Sequence, residues 1–273
     1  MEKIIPFTKM VAAGNDFIVI DHTQNIHIAE EDLSSFVLKN CRRQFGVGAD
    51  GVLLLERSIE ADFRMRIINP DTSEVSMCGN GIRCAARYAY LVGYQPEKMT
   101  IETGAGILGA EIIEDEVKVR MIDPEGLTLN QEIALDDKVI EGHFVNTGVE
   151  HVVIFVDDIS GVDVAKMGAK IRHHVNYSPK GTNVNFVEVG GSGDIRVRTY
   201  ERGVEDETYA CGTGSTASAI ISGLVKNTSS PTKVETSGGA VLTIFFDKSE
   251  GVAGHVYMQG DARVSYRGRI EDV

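Results

Sequence analysis

Two stretches decide how this chain reads: Glu74-Val-Ser-Met-Cys-Gly-Asn-Gly-Ile-Arg-Cys-Ala-Ala86 and Glu207-Thr-Tyr-Ala-Cys-Gly-Thr-Gly-Ser-Thr-Ala-Ser-Ala219. Both spell Glu-x3-Cys-Gly-x-Gly-x4-Ala, and the second cysteine stands 133 positions after the first (211 minus 78). The same offset pairs Glu102-Thr103 with Glu235-Thr236, Gly106 with Gly239 and Gly48 with Gly181, while Gly14 and Gly148 match at 134. Several matches in order at a nearly constant spacing read as a duplicated domain.

Working outward from the cysteines, each half has the same plan. Short β-rich runs alternate with glycine turns: Phe17–Ile20, Val52–Leu55, Phe63–Ile68, Met99–Glu102 and Val117–Met121, then Val152–Val156, Asn185–Val189, Ile195–Tyr200, Val241–Phe246 and His255–Met258. A helix is predicted after each Cys-Gly-x-Gly, at about 81–92 and 214–225. The second carries no charge until Lys226, the mark of a helix buried on every side. Amphipathic helices are predicted at about 30–40 and 162–173. The boundary of the halves falls near Asp123-Pro124-Glu125-Gly126.

Composition limits the function. With 273 residues, 25% charged and 42% hydrophobic, the chain reads as a soluble globular protein, not a disordered or collagen-like one. No apolar run approaches the ~20 residues of a membrane helix, and MEKIIPFTKM lacks a signal-peptide core, so a cytoplasmic location is expected. The net charge of −13 with no basic run argues against nucleic-acid binding. Of the four cysteines, Cys41 and Cys84 read as small buried hydrophobes. The spacings make no metal cage, so no metal site is expected. The strings Gly46–Gly51 and Gly104–Gly109 match a dinucleotide-binding pattern, but neither has the strand–turn–helix context.

Cys78 and Cys211 call for a different explanation. Each directly precedes a helix start, where unpaired backbone N–H groups carry partial positive charge. A thiolate is stabilised there, and the flanking glycines let a carboxylate approach the backbone. Two such sites related by duplication are expected to face each other across a pseudo-twofold axis. That arrangement suits inversion of a stereocentre by two-base proton transfer: one thiolate removes an α-proton and the opposite thiol returns one to the other face. Two rivals share most of these features. One is a non-catalytic module that binds a dicarboxylate at two helix starts. The other is a redox sensor that closes Cys78 onto Cys211.

Taken together, Ala13-Gly-Asn-Asp-Phe17, Gly46-Val-Gly-Ala-Asp50, Asn69-Pro-Asp-Thr-Ser-Glu74, Met77-Cys-Gly-Asn-Gly81, Tyr200-Glu-Arg-Gly203 and Glu207-Thr-Tyr-Ala-Cys-Gly-Thr-Gly214 resemble the diaminopimelate epimerases over nearly the full length. The resemblance implies an α+β fold of two similar domains, each a mostly antiparallel sheet wrapped around a central helix, spanning 1–121 with 261–273, and 122–260. It implies a cofactor-independent epimerase, a homodimer, interconverting LL- and meso-2,6-diaminopimelate for lysine and peptidoglycan synthesis. By position, Cys78 and Cys211 are the implied acid–base pair. Gly79-Asn80 and Gly212-Thr213 are the implied carboxylate cradles. Asn15, Asn69, Asn183, Glu201 and Arg202 are implied substrate contacts, the last gripping a distal carboxylate. His151 and Glu201 are implied to tune the thiols, and Tyr266 to make a dimer contact. Two departures stand out: Val149-Glu150-His151 where many members have Asn-Pro-His, and Gly51 where some carry glutamine. The nearest alternative within this architecture is a proline or hydroxyproline racemase. Those resemble Met-Cys-Gly-His at the first motif, where this chain has Asn80.

Overall fold

The computed structural model describes residues 3–135, 138–249 and 252–272. The chain divides into two compact units, Met1–Val119 with Gly260–Val273, and Arg120–Gln259.

The first unit runs β1 (Lys3–Ala12), β2 (Asn15–Asp21), α1 (Glu30–Asn40), β3 (Gly51–Glu56), β4 (Phe63–Ile68), β5 (Glu74–Val75), α2 (Gly79–Leu91), β6 (Lys98–Thr103), β7 (Gly106–Ile113) and β8 (Glu116–Arg120). Strand β2 runs parallel to β3, and β4 to β6; the pairs β1–β2, β3–β4, β4–β5, β6–β7 and β7–β8 are antiparallel. The second unit holds β9 (Glu125–Ala134), β10 (Val139–Asn146), β11 (Glu150–Phe155), α3 (Val164–Arg172), β12 (Asn183–Val189), β13 (Ile195–Glu201), β14 (Asp206–Thr208), α4 (Gly212–Val225), β15 (Thr232–Thr236), β16 (Val241–Ser249) and β17 (Val252–Asp261). The pairing repeats from β10 onward: β11 runs parallel to β12 and β13 to β15, with the remaining neighbours antiparallel. The last strand, β18 (Arg263–Asp272), returns to the first unit and pairs antiparallel with β1, as β9 pairs with β10 in the second.

The duplicated glycines have one physical cause. Gly14, Gly48 and Gly106 have φ of 89°, 74° and 111°, and their counterparts Gly148, Gly181 and Gly239 have 104°, 71° and 78°. Side chains rarely tolerate this left-handed region, so the same turns demanded glycine in both copies.

Each central helix is enclosed by its own strands. Helix α2 packs on β1, β2, β3, β4, β7 and β18, and α4 on β10, β11, β12, β13, β15 and β16. Strands β2 and β3 are buried on both faces. Phe17, Val19, Leu53 and Leu55 turn towards the α2 core, while Ile18, Ile20, Val52 and Leu54 pack with Leu33, Phe36 and Val37 of α1. That two-sided burial explains runs of unbroken hydrocarbon in place of strand alternation. In α4, ten consecutive residues from Gly214 to Gly223 are buried, as its uncharged sequence predicts.

The central helices begin two residues earlier than the sequence predicts. They start at Gly79 and Gly212, so Cys78 and Cys211 are themselves the N-cap residues, extended at φ −142° and −122°. Glycine has a poor helix propensity. An extended N-cap followed directly by helix overrides it, because burial of the helix supplies the stability.

Gly181 gives the sharpest test of the duplicated turns. A methyl there would lie 2.6 Å from the Arg172 carbonyl oxygen, on a backbone already at φ +71°. Gly181→Ala should lower stability by about 1–3 kcal/mol in a denaturant melt. At Gly109 a methyl meets nothing within 4 Å, so Gly109→Ala should stay within about 0.5 kcal/mol of wild type.

Candidate active site

The start of α2 is organised around a thiol and two asparagines. The Gly81 N–H donates to Cys78 Sγ at 3.5 Å, and Cys78 is partly exposed. Asn80, 2% exposed, has its amide orientation fixed from both ends. The fully buried Arg83 donates to Asn80 Oδ1 at 2.9 Å, so Asn80 Nδ2 donates onward to Asn15 Oδ1 at 2.6 Å. Asn15 Nδ2 in turn donates to Asp50 Oδ2 at 3.1 Å. Asp50 and Asp16 are both held by Arg43 at 2.7 Å. Gly79 joins this cluster through its carbonyl, which accepts from Arg83 at 3.2 Å. Asn69 stands at the end of β4, with its amide donating to Ser73 Oγ at 3.1 Å.

The start of α4 is built differently. Cys211 is 9% exposed, and its Sγ lies 3.5 Å from Thr213 Oγ1. The Thr213 carbonyl accepts from the Thr147 hydroxyl at 3.0 Å, and Gly212 and Thr213 are partly exposed at the helix start. Nearby in the same unit, Asn183 joins β12 to two other segments: its Nδ2 donates to the Glu150 carbonyl at 3.0 Å and its Oδ1 accepts from the Arg202 backbone N–H at 2.8 Å. The Arg202 guanidinium is engaged by Glu150 Oε2 at 2.9 Å and by the Gly181 carbonyl at 3.0 Å. Burial raises the Glu150 carboxyl, but a backbone hydrogen bond and Arg202 outweigh it, and the net shift is downward. Glu201 accepts from the Thr208 hydroxyl at 2.9 Å. Burial raises its carboxyl above the ordinary range, against the lowering effect of that hydroxyl. His151 is fully buried; burial, aided by the charge of Arg202, pushes it down to about 3. Its Nδ1 lies 3.1 Å from Asn185 Nδ2. Tyr266 belongs to β18, where it is 47% exposed and makes an edge contact with Phe7 at 5.9 Å.

Each unit therefore presents a thiol at the N-terminus of a buried helix, beside backbone N–H groups suited to an anion. None of the four cysteines is in a disulfide. Cys41 and Cys84 are buried at 4% and 0% exposure, and burial raises both thiols, Cys41 to about 11. They are the inert pair.

The family model for diaminopimelate epimerase matches residues 7–125 and 143–265. The chain belongs to the diaminopimelate epimerase family. A relative from Methanocella arvoryzae named diaminopimelate epimerase is 47% identical, covering 98% of this chain and 97% of its own length. Among solved structures, the PhzF-family phenazine biosynthesis protein of Bacillus anthracis aligns with a TM-score of 0.76 at 18% identity, covering 98% of this chain and 99% of that one. A hydroxyproline epimerase from Agrobacterium vitis aligns at 0.72 with 15% identity, covering 100% and 95%. These likenesses establish the two-domain fold of the family. Among the described residues, no helix is long and apolar enough to cross a membrane.

Several polar residues at these sites carry no assigned role in the sequence reading: Arg83, Asp50, Thr147, Thr208, and above all Asn185 and Thr199. Thr199 Oγ1 donates to Asn185 Oδ1 at 2.9 Å. The repeat offset of 133 sets Asn185 and Thr199 against Val52 and Arg66, so sequence superposition hides the pair; the strand registers match them instead to Leu53 and Ile67.

The buried imidazole predicts an acid sensitivity of definite sign. His151 binds a proton in the unfolded chain near its ordinary value of 6.5, but in the folded chain only near 3. Its contribution is therefore fully present above pH 6.5 and is lost as pH falls from there towards 3. Denaturant midpoints at pH 7.5 and pH 5 should fall less steeply in His151→Gln than in wild type. Equal slopes would contradict a neutral buried imidazole.

Proposed function

We propose that the chain is a diaminopimelate epimerase that interconverts the LL and meso isomers with Cys78 and Cys211 as its acid–base pair. The observation that carries this reading is the pair of cysteine N-caps on two buried helices at duplicated positions, in a chain that belongs to this family. One thiolate takes the α-proton: the Cα–H bond breaks, an S–H bond forms, and the electron pair is left on a carbon beside a carboxylate. The second thiol gives its proton to the opposite face, so a new Cα–H bond forms as its S–H bond breaks. The helix-start N–H groups at Gly79-Asn80 and Gly212-Thr213 stabilise the carboxylate as negative charge builds on it. The reverse reaction exchanges the two roles. The reading needs neither a metal nor an organic cofactor.

Substrate contacts follow from the polar groups around the two helix starts. Asn15 and Asn80 are pre-oriented by Arg83, which lowers the reorganisation needed on binding. Asn69 and Asn183 offer further amides, and Glu201, His151 and Thr208 set the environment on the Cys211 side. Arg202 takes the distal carboxylate in a bidentate grip, a feature that favours a substrate with two carboxylates over proline. In this reading the enzyme works in the cytoplasm, on a small molecule, as a homodimer with Tyr266 at the subunit contact.

Purified chain supplied with LL-diaminopimelate should form the meso isomer, followed by chiral chromatography, and should leave proline unchanged. Cys78→Ala and Cys211→Ala should each lose at least a thousandfold in kcat. Full turnover with either thiol missing would contradict the two-base reaction.

Glu150 supplies a separate test. Its carboxylate already occupies Arg202 at 2.9 Å, so a substrate carboxylate has to compete with it. Glu150→Ala should lower KM severalfold with little change in kcat, whereas Arg202→Lys should raise KM, because lysine cannot form the fork. An unchanged KM in both variants would remove Arg202 from the substrate site.

A further inference from the structure

Three polar side chains on the strands that pack against α4 stand at positions the first half fills with hydrocarbon. Phe17 pairs with Gly51 across β2 and β3 as His151 pairs with Asn183 across β11 and β12. Leu53 pairs with Ile67 across β3 and β4 as Asn185 pairs with Thr199 across β12 and β13. Phe17, Leu53 and Ile67 all belong to the core around α2. The fold is thus built at these three positions without polar atoms. In the second unit His151, Asn185 and Thr199 occupy them at 0%, 0% and 3% exposure. Buried polar groups are costly unless satisfied, so their presence calls for a role other than packing.

The hydrogen bonds permit one arrangement. Thr199 Oγ1 donates to Asn185 Oδ1 at 2.9 Å. Asn185 Nδ2 therefore faces the Val152 carbonyl at 3.0 Å, and its second hydrogen is directed to His151 Nδ1 at 3.1 Å. Flipping the amide would set its oxygen against the Val152 carbonyl oxygen, two acceptors in contact. A ring nitrogen that accepts a hydrogen bond carries a lone pair, so a neutral His151 holds its proton on Nε2. That buried Nε2 has no hydrogen-bond partner among the described residues. The network also reaches the thiol: a methyl on Gly214 would lie 2.4 Å from Asn185 Oδ1 and 3.3 Å from Cys211 Sγ. The amide and the sulfur share one crowded spot at the first turn of α4.

We propose that Asn185, held by Thr199, is a positioning residue that locks His151 in the Nε2–H tautomer. The Cys211 side of the site then carries a hydrogen-bond donor for developing negative charge and no second base. The proposal rests on the reading of Cys211 as an acid–base thiol. It makes the two halves chemically unequal by design of their interiors, with hydrocarbon under Cys78 and an oriented donor under Cys211.

Nitrogen NMR of the full chain labelled with 15N-histidine tests this directly, with the His151 signals identified by their loss in His151→Gln. The expected result at neutral pH is a protonated, pyrrole-like Nε2 and an unprotonated Nδ1. Asn185→Leu, the side chain the first half uses, should release the tautomer and lower kcat at least tenfold, with KM within threefold. If that variant fails to fold, Thr199→Val frees the amide more gently and should move both readouts in the same direction. An active wild type with Nδ1 protonated overturns this proposal alone. So does a released tautomer with unchanged kcat. A folded wild type that cannot epimerise diaminopimelate overturns the reading of Cys211 beneath it.

Discussion

Everything at the two sites depends on a cysteine being the last extended residue before a buried helix. The N-cap position supplies unpaired N–H groups, a partial positive charge and a fixed exit direction for the side chain. Burial of the helix holds that geometry rigid. In α2 the sulfur itself accepts from the Gly81 N–H, and in α4 it lies beside Thr213. The glycines that follow are there for space: a methyl at Gly81 would meet Leu53 at 3.2 Å, and one at Gly214 would meet Asn185 at 2.4 Å. Helix start and thiol are one local structure, made twice.

Duplication explains the fold, and divergence after duplication explains the difference between the two helix starts. The turns stayed the same because their φ values require glycine. The interiors beneath the cysteines did not. The first half orients its amides through a buried arginine, Arg83 to Asn80 to Asn15. The counterpart of Asn15 in the second half is Val149, and its polar groups come instead from His151, Asn185 and Thr199. A proton-transfer pair that must run in both directions needs two similar thiols, yet a substrate with distinct isomers needs two different surroundings. In the proposed reaction, the repeated backbone plan and the changed side chains would meet those two needs separately.

Much of this was legible in the sequence because it is written in backbone constraints. Repeated glycines mark left-handed turns, Cys-Gly-x-Gly marks a helix start, and unbroken apolar runs such as Val52–Leu55 mark strands covered on both faces. The strands β1, β9, β10 and β18 were not legible. Pro6 interrupts β1, β18 is rich in charge, and β9 buries only Ile133 outright. Long-range pairing, not local pattern, makes them strands. Asn185 reads as the first residue of a β-rich run, since nothing local says that a buried asparagine will meet a buried histidine. Glu150 stood out as a departure, but only the fold shows that Asn183 ties the Glu150 carbonyl to the Arg202 N–H and that the Glu150 carboxylate lands on Arg202.

The central claim, that two thiols transfer protons to opposite faces of one carbon, is tested most directly by proton NMR of LL-diaminopimelate with reduced enzyme in D2O, followed before equilibrium. Two monoprotic bases predict that the newly formed meso isomer carries deuterium at the inverted carbon while unreacted LL substrate keeps its α-proton. If the remaining LL substrate gained deuterium as fast as product formed, a single exchanging base would serve both faces, and the duplicated cysteines would need another explanation.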